Sequence, residues 1–225
     1  VSDDGTPIWP SNIQINCASQ PWLKVNVHGE RFMNESACYD HISHYTAQQP
    51  NGTYYCIWDA NFAEDVNRFG MLGCAGLTKL MLGGFKQDDG TYDLDGFFQL
   101  PIQGDGNVLK ADTLEELADL MLLDDEAKKT FLATVERYNE LYDNQEDVDF
   151  FKEAYRLSEI RKPPYYAASV GGRLLTTIDG IRINADCQAL NEDYEPIEGL
   201  YCVGDCSGSV FAGCYPDQLH GFACG

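Results

Sequence analysis

Basic residues are scarce in this chain. It carries 15 Lys and Arg against 36 Asp and Glu, a formal net charge of −21 over 225 residues. Phosphate backbones would be repelled, so nucleic-acid binding is excluded as a function class. The charge reads instead as a device for solubility. Long apolar runs are also missing, and none approaches the roughly 20 residues that span a bilayer. No export signal is visible, which leaves a cytoplasmic and an exported location both open. The nine cysteines form no zinc-like set: Cys202-x-x-x-Cys206 has neither a second pair nor a histidine couple beside it. Their number is odd, so one at least stays unpaired within the chain, and most read as small buried apolar residues. Asp88-Asp89-Gly90 with Asp93 and Asp95 lacks the terminal Glu of an EF-hand and reads as a solvated turn. No metal is expected.

Hydrophobic residues make up 44% of the chain, enough to fill a core. Trp22 to Val27 alternates like a strand, His28-Gly29 turns, and TYYCIW from Thr53 to Trp58 reads as a second strand. Phe62, Val66, Phe69 and Leu72 give residues 61–82 a helical stripe loosened by glycines. Residues 83–107 read as surface loops. The clearest helices follow. Asp112 or Thr113 caps the first, with Leu114, Leu117, Leu120 and Met121 on its apolar face. Asp124 caps the second, with Phe131, Val135, Tyr138 and Leu141 inward. Lys162-Pro163-Pro164 marks a candidate boundary. Beyond it, Tyr165–Val170, Gly180–Asn184 and Gly199–Val203 read as short strands, before a tail rich in Gly and Ser.

Three segments carry a family resemblance. GLYCVGDCSGSVFAG, Gly199 to Gly213, resembles the late GLYAAGE signature of FAD-dependent flavoproteins of the fumarate reductase and succinate dehydrogenase type. GERFMNE, Gly29 to Glu35, resembles their G-x-RF-x-NE motif at the substrate pocket. The helix pair from Thr113, followed by Asp147-x-Asp149-Phe150, is similar to their cap domain. The three occur in family order and cover most of the chain. The resemblance implies a mixed α/β (α+β) architecture. Residues 1–162 would be a substrate cap, and 163–225 the C-terminal strands of a flavin-binding domain. The family's opening G-x-G-x-x-G turn does not occur here, so the N-terminal dinucleotide-binding half is expected to be absent and this fragment to be inactive alone. FAD is the implied cofactor. Gly204, Asp205, Ser207, Gly208, Ser209 and Gly221 are its expected contacts, with glycines admitting close backbone approach.

Dicarboxylate reduction in this family uses arginines and a histidine that pair with the anion. Their positions fall at Tyr39, near Leu175 or Thr176, and at Tyr215, so the charges are gone. RFMNESACYD and AGCYPD are instead similar to motifs of flavin-dependent 3-ketosteroid dehydrogenases. The Tyr-Pro arrangement also occurs in flavin reductases of gut anaerobes. That likeness implies a hydride transfer between flavin and an activated C=C bond. Tyr39 would be the proton donor or acceptor, and Tyr215 the polariser of a substrate carbonyl. Arg173, His41 and His220 are candidates for substrate binding. A small-molecule substrate and an electron-donor protein or haem domain are the implied partners. The competing readings are a fumarate-reductase-like enzyme and a binding domain without flavin.

Overall fold

The alternation in TYYCIW builds the first sheet. In the computed structural model this segment is β2 (Thr53–Trp58), flanked by β1 (Leu23–Val25) and β4 (Tyr165–Gly171), with β3 (Val108–Ala111) at the far edge. The order is β1-β2-β4-β3 and every pairing is antiparallel. Ile57 lies opposite Leu23 on one side and Ala167 on the other. The structure describes residues 20–37, 39–69, 75–98, 108–171 and 180–208. At positions 39, 40, 75–77 and 205 it describes backbone only. The chain divides into two compact units, Val1–Gly172 and Arg173–Gly225.

Both faces of the first unit's sheet are covered, because strand side chains alternate between them. Tyr54, Cys56, Trp58, Tyr166, Ala168 and Val170 point into an aromatic core with Trp22, Phe62, Phe97 and Phe98. Trp22 stacks on Phe62 with ring centroids 4.6 Å apart. Leu23, Val25, Ile57 and Ala167 point the other way, against Leu117, Phe131, Val135 and Tyr138. Those last residues come from α5 (Leu114–Leu120) and α6 (Asp125–Asn144). Thr113 caps α5 by accepting the Glu116 amide, and Asp124 caps α6 by accepting those of Glu126 and Ala127. The aromatic core is closed by α1 (Tyr39–Ala47), α2 (Phe62–Arg68), α3 (Ala75–Leu82) and α4 (Leu94–Phe98).

Helix α4 arises within residues 83–107, where loops were expected. Phe97 and Phe98 supply the reason: both are buried in the aromatic core, and α4 is the short turn that aims them there. The Asp88–Gly90 turn is exposed, with Asp89 accepting from Thr91. The strand at Tyr165 begins just after the Lys162–Pro164 boundary read from sequence. Its hydrogen bonds run to β2 and β3, which places it in the first unit's sheet.

The second unit contains a hairpin of β5 (Gln188–Leu190) and β6 (Pro196–Tyr201). Asn191 shapes its turn by accepting the amides of Asp193 and Glu195. The strand expected at Gly180–Asn184 is reduced to isolated bridges: Ile181 pairs in parallel with Ser207, and Ile183 pairs with Ala189. Among the described residues no helix is long and apolar enough to cross a membrane. No cluster of metal-ligating side chains is found among them either.

Candidate functional site

The RFMNE motif is a buried clamp. Val25 pairs across a turn with Arg31, and Asn26 shapes that turn by accepting the amides of His28 and Glu30. Gly29 sits at the tip with φ +77, and a Cβ there would run into the Ala127 carbonyl and the Phe131 amide of α6. The Thr134 hydroxyl also donates to the Gly29 carbonyl at 2.8 Å. So this glycine is required twice, for its conformation and for close helix approach.

The Arg31 guanidinium, which follows, is forked by two carboxylates. Nε donates to Glu35 Oε1 at 2.8 Å, and Nη2 to Asp147 Oδ2 at 2.6 Å. The same plane lies between the rings of Phe150 and Tyr138, 4.8 and 5.1 Å from their centroids. Burial works against the Arg31 charge, but Glu35 and Asp147 outweigh it and hold the pKa above its ordinary value. Burial likewise pushes Glu35 up, and Lys152 and Arg31 more than reverse this, leaving it low. Asp147 is brought down to about 2: against burial, it gains the Arg31 hydrogen bond and accepts the amides of Phe150 and Lys152. Lys152 completes the cluster, with Nζ 3.2 Å from Glu35 Oε2 and bonded to the Pro21 carbonyl and the Tyr138 hydroxyl. Burial, only partly offset by Glu35, lowers it to about 8. Lys24 is also buried and donates to the Gln20 carbonyl at 2.7 Å.

Two of the motifs that carry the resemblance, GERFMNE and Asp147-x-Asp149-Phe150, are therefore the two halves of one clamp. Sequence reading did not pick out Lys24 and Lys152. A signal existed for Lys24, a lone cation within the strand-like run Trp22–Val27. For Lys152, which follows Phe150-Phe151 in a loop, the pattern offered none.

The clamp feeds α1. Asn34 accepts the Ser36 amide at 2.8 Å and the chain enters the helix whose first residue is Tyr39. Ile42 and Thr46 face inward, while His41 is exposed. An open cleft of about 550 Å³ borders the clamp, lined by Arg31 and Tyr138 together with Glu30, Thr134, Arg137 and Phe150 among others. Glu30 and Phe150 belong to the motifs read from sequence, whereas Thr134 and Arg137 were not singled out there.

In the second unit, β6 runs into an extended Val203 and then Gly204 at φ +68. Gly204–Cys206 forms a single turn of 3-10 helix, and the Ser207 amide and hydroxyl both donate back to the Gly204 carbonyl. Asp205 lies within this turn. Gly208 is buried and donates to the Ile181 carbonyl at 2.7 Å. A Cβ on Gly208 would strike the backbone of Gly180, and one on Gly180 would strike that of Cys206. Glycine at 208 thus serves chain-on-chain packing. The left-handed Gly204 at a strand end fits a cofactor better, because it presents backbone without a side chain and the first amides of such a turn have no partner inside it. Arg173, Ser209, Tyr215, His220 and Gly221 lie outside the described residues.

The chain matches the family described as FAD binding domain over residues 9–218. It is 24% identical over 215 residues to vinyl phenol reductase from Lactiplantibacillus plantarum, covering 96% of this chain and 42% of that protein. It is 29% identical over 218 residues to 3-oxosteroid 1-dehydrogenase from Mycolicibacterium smegmatis, covering 85% and 34%. The solved structure of 3-ketosteroid delta1-dehydrogenase from Sterolibacterium denitrificans shares the fold, with a TM-score of 0.63 at 24% identity over 90% of this chain and 36% of that one. The chain spans less than half the length of each of these. With the match running through both units, from before the clamp to beyond the Gly204 turn, the chain belongs to the FAD-binding family of the fumarate reductase and succinate dehydrogenase flavoprotein superfamily.

Proposed function

We propose that this chain works within an FAD-dependent oxidoreductase that moves a hydride between flavin and an activated C=C bond of a small molecule conjugated to a carbonyl. The observation that carries the reading is the family match over residues 9–218. It is supported by the relatives' names, one a vinyl phenol reductase and another a 3-oxosteroid dehydrogenase. FAD would supply the hydride acceptor or donor. Gly204, Asp205, Ser207, Ser209 and Gly221 would hold it, with Gly208 setting the turn against Gly180 and Asp205 accepting a hydrogen bond from a cofactor hydroxyl.

The proton work falls to tyrosines. Hydride transfer at the carbon β to a carbonyl leaves negative charge on the carbonyl oxygen until a proton reaches the α carbon. The Tyr39 phenol would give or take that proton. The Tyr215 phenol would hydrogen-bond the oxygen while the charge is there. The position of Tyr39 supports the first role: it is the first residue of α1, four positions after Glu35 of the buried clamp. His41, Arg173 and His220 would contribute substrate contacts, and an electron-donor protein or haem domain would supply electrons.

The test uses the full-length protein. Purified, it is expected to show the absorbance of bound FAD. Tyr39→Phe and Tyr215→Phe are each expected to lower turnover of a conjugated C=C substrate by about 10²–10⁴-fold with FAD retained. A protein that neither carries nor takes up FAD would sink the enzyme reading, and unchanged turnover in both variants would remove the tyrosines from the mechanism.

A further inference from the structure

The 3-10 turn assigned above to the flavin is bracketed by two cysteines. Cys202 directly follows β6 and is buried, whereas Cys206 closes the turn and is exposed. The turn folds the chain back and brings the Cys206 thiol beside the Cys202 thiol, near enough for the two to interact electrostatically. Cys206 Sγ also donates to the Val203 carbonyl at 3.0 Å, which fixes its side chain on the inner side of the loop. Both are free thiols. A third, Cys187, lies across the hairpin, where its carbonyl accepts the Cys202 amide at 2.9 Å. One exposed and one buried thiol in contact, spanning a short loop, is the arrangement of an attacking and a resolving cysteine.

We propose that Cys202 and Cys206 are a redox-active dithiol pair, and that its oxidation by a small-molecule disulfide closes the Val203–Asp205 loop into a covalent ring. The Cys206 thiolate attacks one sulfur of the small disulfide, forming a mixed disulfide and releasing one small thiol. The Cys202 thiolate then attacks Cys206 Sγ. The mixed disulfide breaks, the Cys202–Cys206 bond forms, and the second small thiol leaves. Two cysteine thiols are oxidised, one disulfide is reduced to two thiols, and the two cysteine protons end on the departing thiols. Burial and the neighbouring Cys206 thiol hold Cys202 above its ordinary pKa, so the exposed Cys206 is the thiol that attacks first and Cys202 the one that follows. The ring contains Gly204 and Asp205. Its consequence for flavin, weaker or stronger retention in the oxidised form, rests on the function proposed above; ring formation itself does not.

The full-length protein is incubated with oxidised glutathione, blocked with N-ethylmaleimide, denatured, digested and mapped by mass spectrometry. The expected product is a peptide carrying both Cys202 and Cys206, lighter by two hydrogens and free of maleimide, that returns to the dithiol mass on reduction. Cys206→Ser is expected to lose that product and leave Cys202 open to alkylation on denaturation. Cys202→Ser is expected to trap glutathione on Cys206. Wild-type protein that keeps glutathione on Cys206, alkylates at both positions, or links Cys187 to Cys202 overturns the pair. None of these readouts needs flavin, so they fail or succeed independently of the enzyme reading. With the ring formed, equal FAD retention by oxidised and reduced protein would overturn its link to the cofactor.

Discussion

At the scale of single residues, the clamp around Arg31 governs the first unit. Its guanidinium is almost entirely buried, with 6% of the side chain exposed, and both carboxylates it meets are fully buried. Removing the cation would leave Glu35 and Asp147 desolvated and short of a partner, which costs about 3–5 kcal/mol in such settings. Arg31→Ala is therefore expected to lower the unfolding free energy read from urea titration by that amount, and Arg31→Lys to recover only part of it, since an ammonium lacks the planar fork of donors that meets two carboxylates at once. Arg137→Ala is the contrast. That side chain is about half exposed, and its pairs with Glu140 and Asp149 are on the surface, so a change within roughly 1 kcal/mol is expected. The clamp also sets an acid limit. Asp147 titrates near 2 in the fold against an ordinary 3.8. A carboxyl with a depressed folded value contributes stability that is present above its ordinary value and is lost as pH falls. Urea titrations between about pH 4 and pH 2 are expected to show this loss in the wild type and a shallower slope in Asp147→Asn.

At the scale of elements, two small features hold α6 in place. Gly29 meets its backbone in a left-handed conformation. Gly29→Ala adds backbone strain and a methyl group where there is no room, for about 2–5 kcal/mol together. Asp124→Ala removes one cap from α6, for about 1 kcal/mol. Thermal or denaturant unfolding of the two variants should rank them in that order. Capping is also where the sequence was most legible: Thr113 and Asp124 sit beside strong apolar periodicity, so local chemistry alone placed α5 and α6. TYYCIW was legible for the same reason, as alternation bounded by turn residues. Helix α4 was not, because the Gly and Asp around it favour loops, and only the tertiary demand for Phe97 and Phe98 in the aromatic core makes it helical. The clamp was half legible. The motif letters pointed to a pocket wall, but that Arg31 spends its guanidinium on Asp147, 116 positions away, is a long-range contact that no local pattern encodes. Strand β5 and the collapse of Gly180–Asn184 into bridges were likewise decided by Asn turns and close glycine packing.

At the scale of the whole molecule, charge is the property left to argue. Fifteen basic residues cannot neutralise 36 acidic ones, and several of the cations are already engaged: Arg31 and Lys152 in the clamp, Lys110 with Asp95, Lys129 with Glu126, Arg161 with Asp143. The surplus carboxylates repel one another across the surface, and folding brings them closer together than they are in the unfolded chain. Salt acts on these terms unequally. The Debye length falls to about 10 Å at 0.1 M, which screens repulsion between scattered surface charges while leaving the dry clamp nearly untouched. Exposed pairs such as Lys129–Glu126 weaken as well, but each contributes at most about 1 kcal/mol and they are outnumbered by the unpaired acids. Raising NaCl from about 10 mM to about 200 mM is therefore expected to raise Tm, by roughly 2–4 °C for each kcal/mol of repulsion relieved in a chain of this size. Differential scanning calorimetry at fixed pH would read the shift. A fall in Tm over the same range would mean that the surface ion pairs, and not the net charge, set the electrostatic balance of the fold.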